Sequence, residues 1–376
     1  MEAKTTLKEI AALFLKLGII GFGGPAAHIA MMRHEVVTKR KWLTDDHFLD
    51  LVGATNLIPG PNSTEMAIHI GHEKGGWRGL IIAGLCFILP AVFITGIFAY
   101  LYKIYGELPE VQPFIYGIKP AIIAIILAAV FPMAKNSLKS TSLIIIGAIV
   151  LMGSLLQLNE IYLMFGAGFL ALALAYFRNP KPDALNSFLP LTILPTIGST
   201  LFSATNASLF WIFLKIGAIL YGSGYVLFAF LDTELVSTGL LTRQQLIDAI
   251  AVGQFTPGPV FSSVTFIGYQ INGFTGAVVS TIAIFLPSFA FVALLHPIVK
   301  RMRNSKLFSA FLDAVNVASV AIIAAVCFEM GKESITDWRT ILIAVLSIAI
   351  AFGFKKLNSA FVVLGGSLVG YLLTLL

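Results

Sequence analysis

The run LIIAGLCFILPAVFITGIFAYLY, from Leu80 to Tyr102, contains no charged residue and is long enough to cross a bilayer as one helix, for which about 20 apolar residues suffice. Runs of this kind follow one another along the chain, which implies a bundle of spans and not a single anchor. They are continuous, whereas a barrel strand alternates apolar and polar positions, so the expected class is an all-α integral membrane protein. Composition agrees: 57% of the 376 residues are hydrophobic and 12% charged, against about 25% charged in a soluble domain.

The first apolar block, Leu7 to Ile20, carries Lys16 in its middle and runs into GFGGP without a small-residue cleavage pattern, so it reads as part of the mature fold. The net charge of +6 falls at segment ends, where the positive-inside bias places it on cytoplasmic loops; nucleic acid is not the implied partner. Cys86 and Cys327 both lie inside apolar runs, which indicates neither a disulfide framework nor a cysteine metal site.

The chain repeats itself at an offset of about 198 residues. KLGIIGFGGP from Lys16 resembles KIGAILYGSG from Lys215, and WLTDDHFLDLVGATNLIPGP ending at Pro61 resembles LLTRQQLIDAIAVGQFTPGP ending at Pro259. IGHEKGGWRG from Ile70 matches IGYQINGFTG from Ile267, and Pro90 matches Pro287. Duplication is the economical explanation. It divides the chain into an N-terminal half (1–177), a connecting segment with the polar RNPKPD sequence (178–206), and a C-terminal half (207–376).

Loop charge predicts how the halves are oriented. Arg33, Lys39, Arg40 and Lys41 stand in one loop, while its counterpart carries Asp232 and Glu234 and no base before Arg243. The next comparable loops reverse the contrast, with Lys103, Glu107 and Glu110 against Lys300, Arg301, Arg303 and Lys306. Equivalent loops on opposite sides of the membrane mean two inverted-topology repeats, an arrangement characteristic of secondary transporters, each of about six spans or half-spans. Asp45 to Leu57 and Asn62 to His72, which flank the first PGP triplet, fall well short of the roughly 20 residues a span needs, so broken or re-entrant helices are expected at both triplets.

Such breaks are costly in a membrane unless the freed backbone groups line a polar cavity. Proline fits the first position of a helix, so PGP followed by NSTEMAIHI or by VFSSVTFIG reads as a helix start whose N–H groups and positive dipole end suit a small anion. Asn62, Ser63 and Thr64 in one half, and Ser262 and Ser263 in the other, add neutral donors; Asn56 and Gln254 are equivalent amides on the preceding arm. Gly23, Gly24 and Pro25 in GFGGP, and Gly222, Ser223 and Gly224 in YGSG, form a second pair of breaks where backbone can approach a ligand. Tight helix packing would explain any one glycine pair; recurrence of the whole set in both halves favours binding.

Lys16 and Lys215 are equivalent lysines inside apolar runs, readable either as snorkelling to an interface or as attracting an anion. Glu35 with Glu234, and Asp50 with Asp248, are equivalent acids near the loops: solvated helix ends, or candidates for coupling transport to protons. Glu65, Lys119, Asp313 and Glu329 also fall in apolar surroundings. Glu65, His69 and His72 share a helical face, yet the other half offers Ser263, Phe266 and Tyr269 there, so no metal is expected. No P-loop, dinucleotide or hydrolase fingerprint stands in a suitable context, and the paired signals speak against a membrane-embedded enzyme.

FGGP followed by HIAMMRHEVV, then WLTDDHFLDLVGATNLIPGPNSTEMAIHIGHEKGGWRG, resembles the chromate ion transporter family. The second half, with KIGAILYGSGYVLFAFLDTELV and LIDAIAVGQFTPGPVFSSVTFIGYQINGFTGA, is similar to the second domain of that family's two-domain members. The resemblance implies export of chromate across a bacterial inner membrane, driven by protons or by anion exchange, without a cofactor. Its motif positions fall on Gly23, Gly24, Pro25, Pro59, Gly60, Pro61 and Asn62, and on Gly222, Gly224, Pro257, Gly258 and Pro259. Gly224 stands where Pro25 aligns and Val260 where Asn62 aligns, so the halves contribute unequally. Sulfate is an equally shaped dianion and remains an alternative substrate, a channel an alternative mechanism, and a homodimer a candidate assembly.

Overall fold

The computed structural model describes residues 5–178, 204–221, 224–295, 306–354 and 357–375. The linker beyond Arg178, the stretch from Phe188 to Phe202, most of the Lys300 to Lys306 loop and the Lys355–Lys356 pair lie outside them. Every regular element among the described residues is helical. The first half contains α1 (Leu7–Ile20), α2 (Pro25–Arg33) continued by a π-helical turn (His34–Lys39), α3 (Asp45–Thr55), α4 (Asn62–Tyr105), α5 (Gln112–Ser137), α6 (Thr141–Leu155) and α7 (Glu160–Arg178). The second contains α8 (Ala204–Ile219), α9 (Val226–Leu231) with a π-helical turn (Asp232–Val236), α10 (Arg243–Phe255), a single 3₁₀ turn (Val260–Ser262) leading into α11 (Ser263–Leu295), α12 (Lys306–Ser334), α13 (Trp338–Gly353) and α14 (Ser359–Thr374).

Five of the described helices are long and apolar enough to cross a membrane. Their outward faces carry Phe93, Ile97, Phe131 and Leu294 at 58 to 68% exposure, a load of apolar surface that only lipid would cover. Inside, α1 packs along α4, α8 along α11, and α4 against α11, while α5 lies against α13 and α14 and α12 against α6 and α7. The aromatic side chains of Phe213, Phe228, Phe230, Phe261 and Phe266 fill the centre and are almost wholly buried.

The same local devices recur at matching positions of the two halves. Thr44 caps α3 by accepting from the His47 N–H at 3.3 Å, and Thr242 caps α10 by accepting from the Gln245 N–H at 3.1 Å. The long helices α4 and α11 each kink at a glycine in the same conformation, Gly76 at φ 57°, ψ −148° and Gly273 at φ 59°, ψ −150°, the second preceded by a further non-helical residue, Asn272. Arg33 forms a fork with Asp45, with N···O distances of 2.7 and 2.6 Å; at the equivalent positions the charges are exchanged, and Arg243 forks Asp232 at 2.9 and 3.1 Å. Arg33 holds the Asp45 carboxyl below the usual carboxylate range. A contact kept while its two charges trade places indicates that the joint between these segments is structural.

Candidate functional site

Each PGP triplet forms a turn between two helices. Gly60 has φ 137° and Gly258 φ 92°, in the region that favours glycine, and the flanking prolines restrict the chain on either side. Pro25 occupies the first position of α2. Pro61 and Pro259 stand one residue earlier than expected, capping their helices from extended backbone, because the positive φ of the preceding glycine turns the chain before the first helical residue.

The turns dock reciprocally. The Gly60 N–H donates to the Leu220 carbonyl at 2.8 Å, at the end of α8, and the Gly258 N–H donates to the Gly21 carbonyl at 2.7 Å, at the end of α1. Thus each PGP turn sits on the glycine-rich break of the other half, and backbone groups released by one break are satisfied by the other. Gly21 also accepts from His28 Nε2 at 2.9 Å, an interaction with no counterpart in the second half, where Leu227 stands.

The remaining site candidates gather around these turns. Asn62 Nδ2 donates to Asn56 Oδ1 at 2.7 Å, bridging the two arms of the first turn; Asn56 is exposed and Asn62 half-buried. Pro59, Pro257, Ser63, Thr64, Ser262 and Ser263 are buried. Ser262 Oγ accepts from Thr95 Oγ1 at 3.2 Å, joining α4 to the start of α11. Gly23 has φ 110°, and a methyl placed on Gly24 would lie 3.8 Å from the Tyr225 hydroxyl, itself beside the Gln254 amide. Gly224 faces the Phe261 ring. Gly222 and Ser223 lie outside the described residues. Thr64 Oγ1 and Ser263 Oγ are buried with no hydrogen-bond partner among the described residues, so polar capacity is left open at both turns.

Both lysines have partners that the sequence reading did not weigh. Lys16 Nζ lies 2.6 Å from Glu35 Oε1, and Lys215 Nζ lies 2.6 Å from Glu234 Oε1, tying α1 and α8 to the two π-helical turns. Each glutamate is thereby engaged by a lysine. The acids Asp50 and Asp248 diverge: Asp50 is exposed, whereas Asp248 is 5% exposed and accepts from the Tyr102 hydroxyl at 2.6 Å, with Lys119 near enough to act on its charge. Among the described residues, no three His, Cys, Asp or Glu side chains converge as a metal site, so Glu65, His69 and His72 do not form one.

Tyr225, His28 and Tyr102 were not singled out from sequence. Tyr225 could have been suspected, since it directly follows the second glycine break. The contact between Tyr102 and Asp248 links positions far apart in the chain and carries no local signal.

These features define a multi-pass helical membrane protein with paired helix breaks that dock on one another. The chain belongs to the chromate transporter family, whose profile matches residues 8–172 and again residues 207–371. It is 32% identical over 374 residues to the chromate transport protein of Cupriavidus metallidurans, covering 97% of this chain and 92% of that one. It is 28% identical to the chromate transport protein of Pseudomonas aeruginosa, with 97% and 92% covered, and 27% identical to an uncharacterized transporter of Methanocaldococcus jannaschii, with 96% and 92% covered. No solved structure matches it.

Proposed function

We propose that this protein is a secondary active transporter that exports chromate, or a similarly shaped oxyanion such as sulfate, across the cytoplasmic membrane. The names of the relatives favour chromate. The reciprocal docking of Gly60 on Leu220 and of Gly258 on Gly21 carries the mechanistic reading. It ties the starts of α4 and α11 to the opposite half, so that a rocking motion between halves 1–177 and 207–376 would open and close both helix starts together. Loop charge supports an inverted relation between the halves, with the PGP segments as re-entrant elements.

In this reading the anion sits near the N-termini of α4 and α11, where N–H groups without intrahelical acceptors point. Asn62, Ser63, Thr64, Ser262, Ser263 and Gln254 supply neutral donors, which bind without holding so tightly that release fails. Purified protein in liposomes should exchange labelled chromate across the membrane, and replacing Pro59, Gly60 and Pro61 by alanine should abolish the exchange. Unchanged flux in that variant would refute the site. Steady single-channel current without counterflow exchange would replace the carrier by a channel.

A further inference from the structure

The most unusual buried group near the turns is Glu65, in the first turn of α4. Its side chain is fully buried, and neither carboxyl oxygen has a hydrogen-bond partner among the described residues. A Cβ on Gly60 would collide with Glu65 Oε1 and lie 2.8 Å from Ser288 Oγ, so the carboxyl and a buried, equally unpartnered serine of α11 both face the PGP backbone. Tyr221, which follows the end of α8, is close enough for its phenol to sense the Glu65 charge.

Among the described residues no cation acts on the Glu65 carboxyl, and the buried His28 of α2 is held on the Gly21 carbonyl. Residues 263–295 of α11 contain no Asp, Glu, Lys, Arg or His, and Tyr269 is their only other titratable side chain. Lys16 of α1 and Lys215 of α8 are engaged by Glu35 and Glu234. On α4 itself the nearest titratable side chain is His69, buried one helical turn on. In the other half Ser263 stands at the Glu65 position and Ala91 at the Ser288 position, so this acid occurs once, and at one turn only.

An ionised carboxylate without donor or cation is the costly form in such a place, and binding a proton removes the cost. The same carboxylate lies where the transport reading puts the anion, at the start of α4, and its charge would repel a dianion. We propose that Glu65 is the proton-binding group of the transport cycle, and that a proton on Glu65 and an oxyanion at the PGP turn bind together and cross together. This rests on the transport reading above and deepens it: each exported dianion takes one proton with it, which lowers the charge moved per cycle.

The test uses the full chain in proteoliposomes with the membrane voltage clamped at zero, and labelled chromate as probe. Wild-type protein should accumulate chromate down an inward proton gradient, by about tenfold per pH unit when one proton accompanies each anion. Glu65→Gln, a permanently neutral carboxamide, should lose the gradient-driven accumulation, while Glu65→Asp, which can still bind a proton, should keep it. A Glu65→Gln protein that still accumulates chromate, or wild-type flux indifferent to the gradient, overturns the assignment. Should the variant fail to insert, carbodiimide labelling of the wild type followed by peptide mass analysis reads the same property. The Glu65 peptide should label and lose labelling as pH rises, and no labelling at any pH overturns the proposal. Wild-type protein that moves no chromate or sulfate under any condition fails the transport reading itself, which is a separate outcome.

Discussion

Three glycine-to-alanine substitutions separate backbone strain from crowding at the PGP turns. Gly239, Gly60 and Gly258 all have positive φ, at 74°, 137° and 92°. Alanine in such a conformation costs about 1 to 3 kcal/mol wherever it occurs. Around Gly239 a methyl meets nothing within 4 Å, so Gly239→Ala reports strain alone. At Gly60 the methyl meets Glu65 and Ser288 side-chain oxygens, which can rotate aside. At Gly258 it meets the Ala91 Cβ at 2.9 Å and the Gly18 carbonyl at 3.3 Å, and these belong to α4 and α1 and cannot move without separating the helices. Overpacking of that kind adds about 1 to 3 kcal/mol, giving a total of roughly 2 to 6 kcal/mol. Melting of the purified protein in one detergent, followed by loss of monodisperse material on a sizing column, should therefore fall in the order Gly239→Ala, Gly60→Ala, Gly258→Ala. Equal losses for Gly239→Ala and Gly258→Ala would refute the claim that the second turn is wedged against α1 and α4.

The exchanged forks predict a rescue: Arg33→Asp should lower the melting temperature and Arg33→Asp with Asp45→Arg should restore it, because the other half already carries that arrangement. Lys16→Met should cost less than Lys215→Met by at least about 1 kcal/mol in the same melt. Glu35 keeps Lys39 at 3.6 Å and Arg40 at 3.4 Å, whereas the Glu234 carboxylate has Lys215 as its one ion-pair partner among the described residues. Tyr102→Phe removes a hydrogen bond to the buried Asp248 and should destabilise by about 1 to 3 kcal/mol, and an unchanged melt would show that the bond contributes little.

The sequence by itself determined the class and the local breaks. Long uncharged runs leave a chain no water-soluble option, and the Gly and Pro residues of GFGGP and PGP act within a few residues, so the break after Ile20 was legible and the helix edges on either side of the first PGP triplet were legible to within one or two residues, the arm read to Leu57 ending at Thr55. The repeat was legible too, because it is a property of the string. Less visible was the continuation of α4 past His72 through a kink at Gly76, since one glycine inside an apolar helix marks neither an end nor a bend.

The tertiary structure alone decided what meets what. Gly60 lies on Leu220 and Gly258 on Gly21 because the two halves pack across each other, and nothing local ties residues so distant in the chain. The same packing gives Lys16 and Lys215 their glutamates after the chain has turned back through each glycine break, and leaves Glu65 with none. Whether a charge is paired depends on which helix faces it, and that is settled only when the apolar surfaces of α1, α4, α8 and α11 have closed on one another.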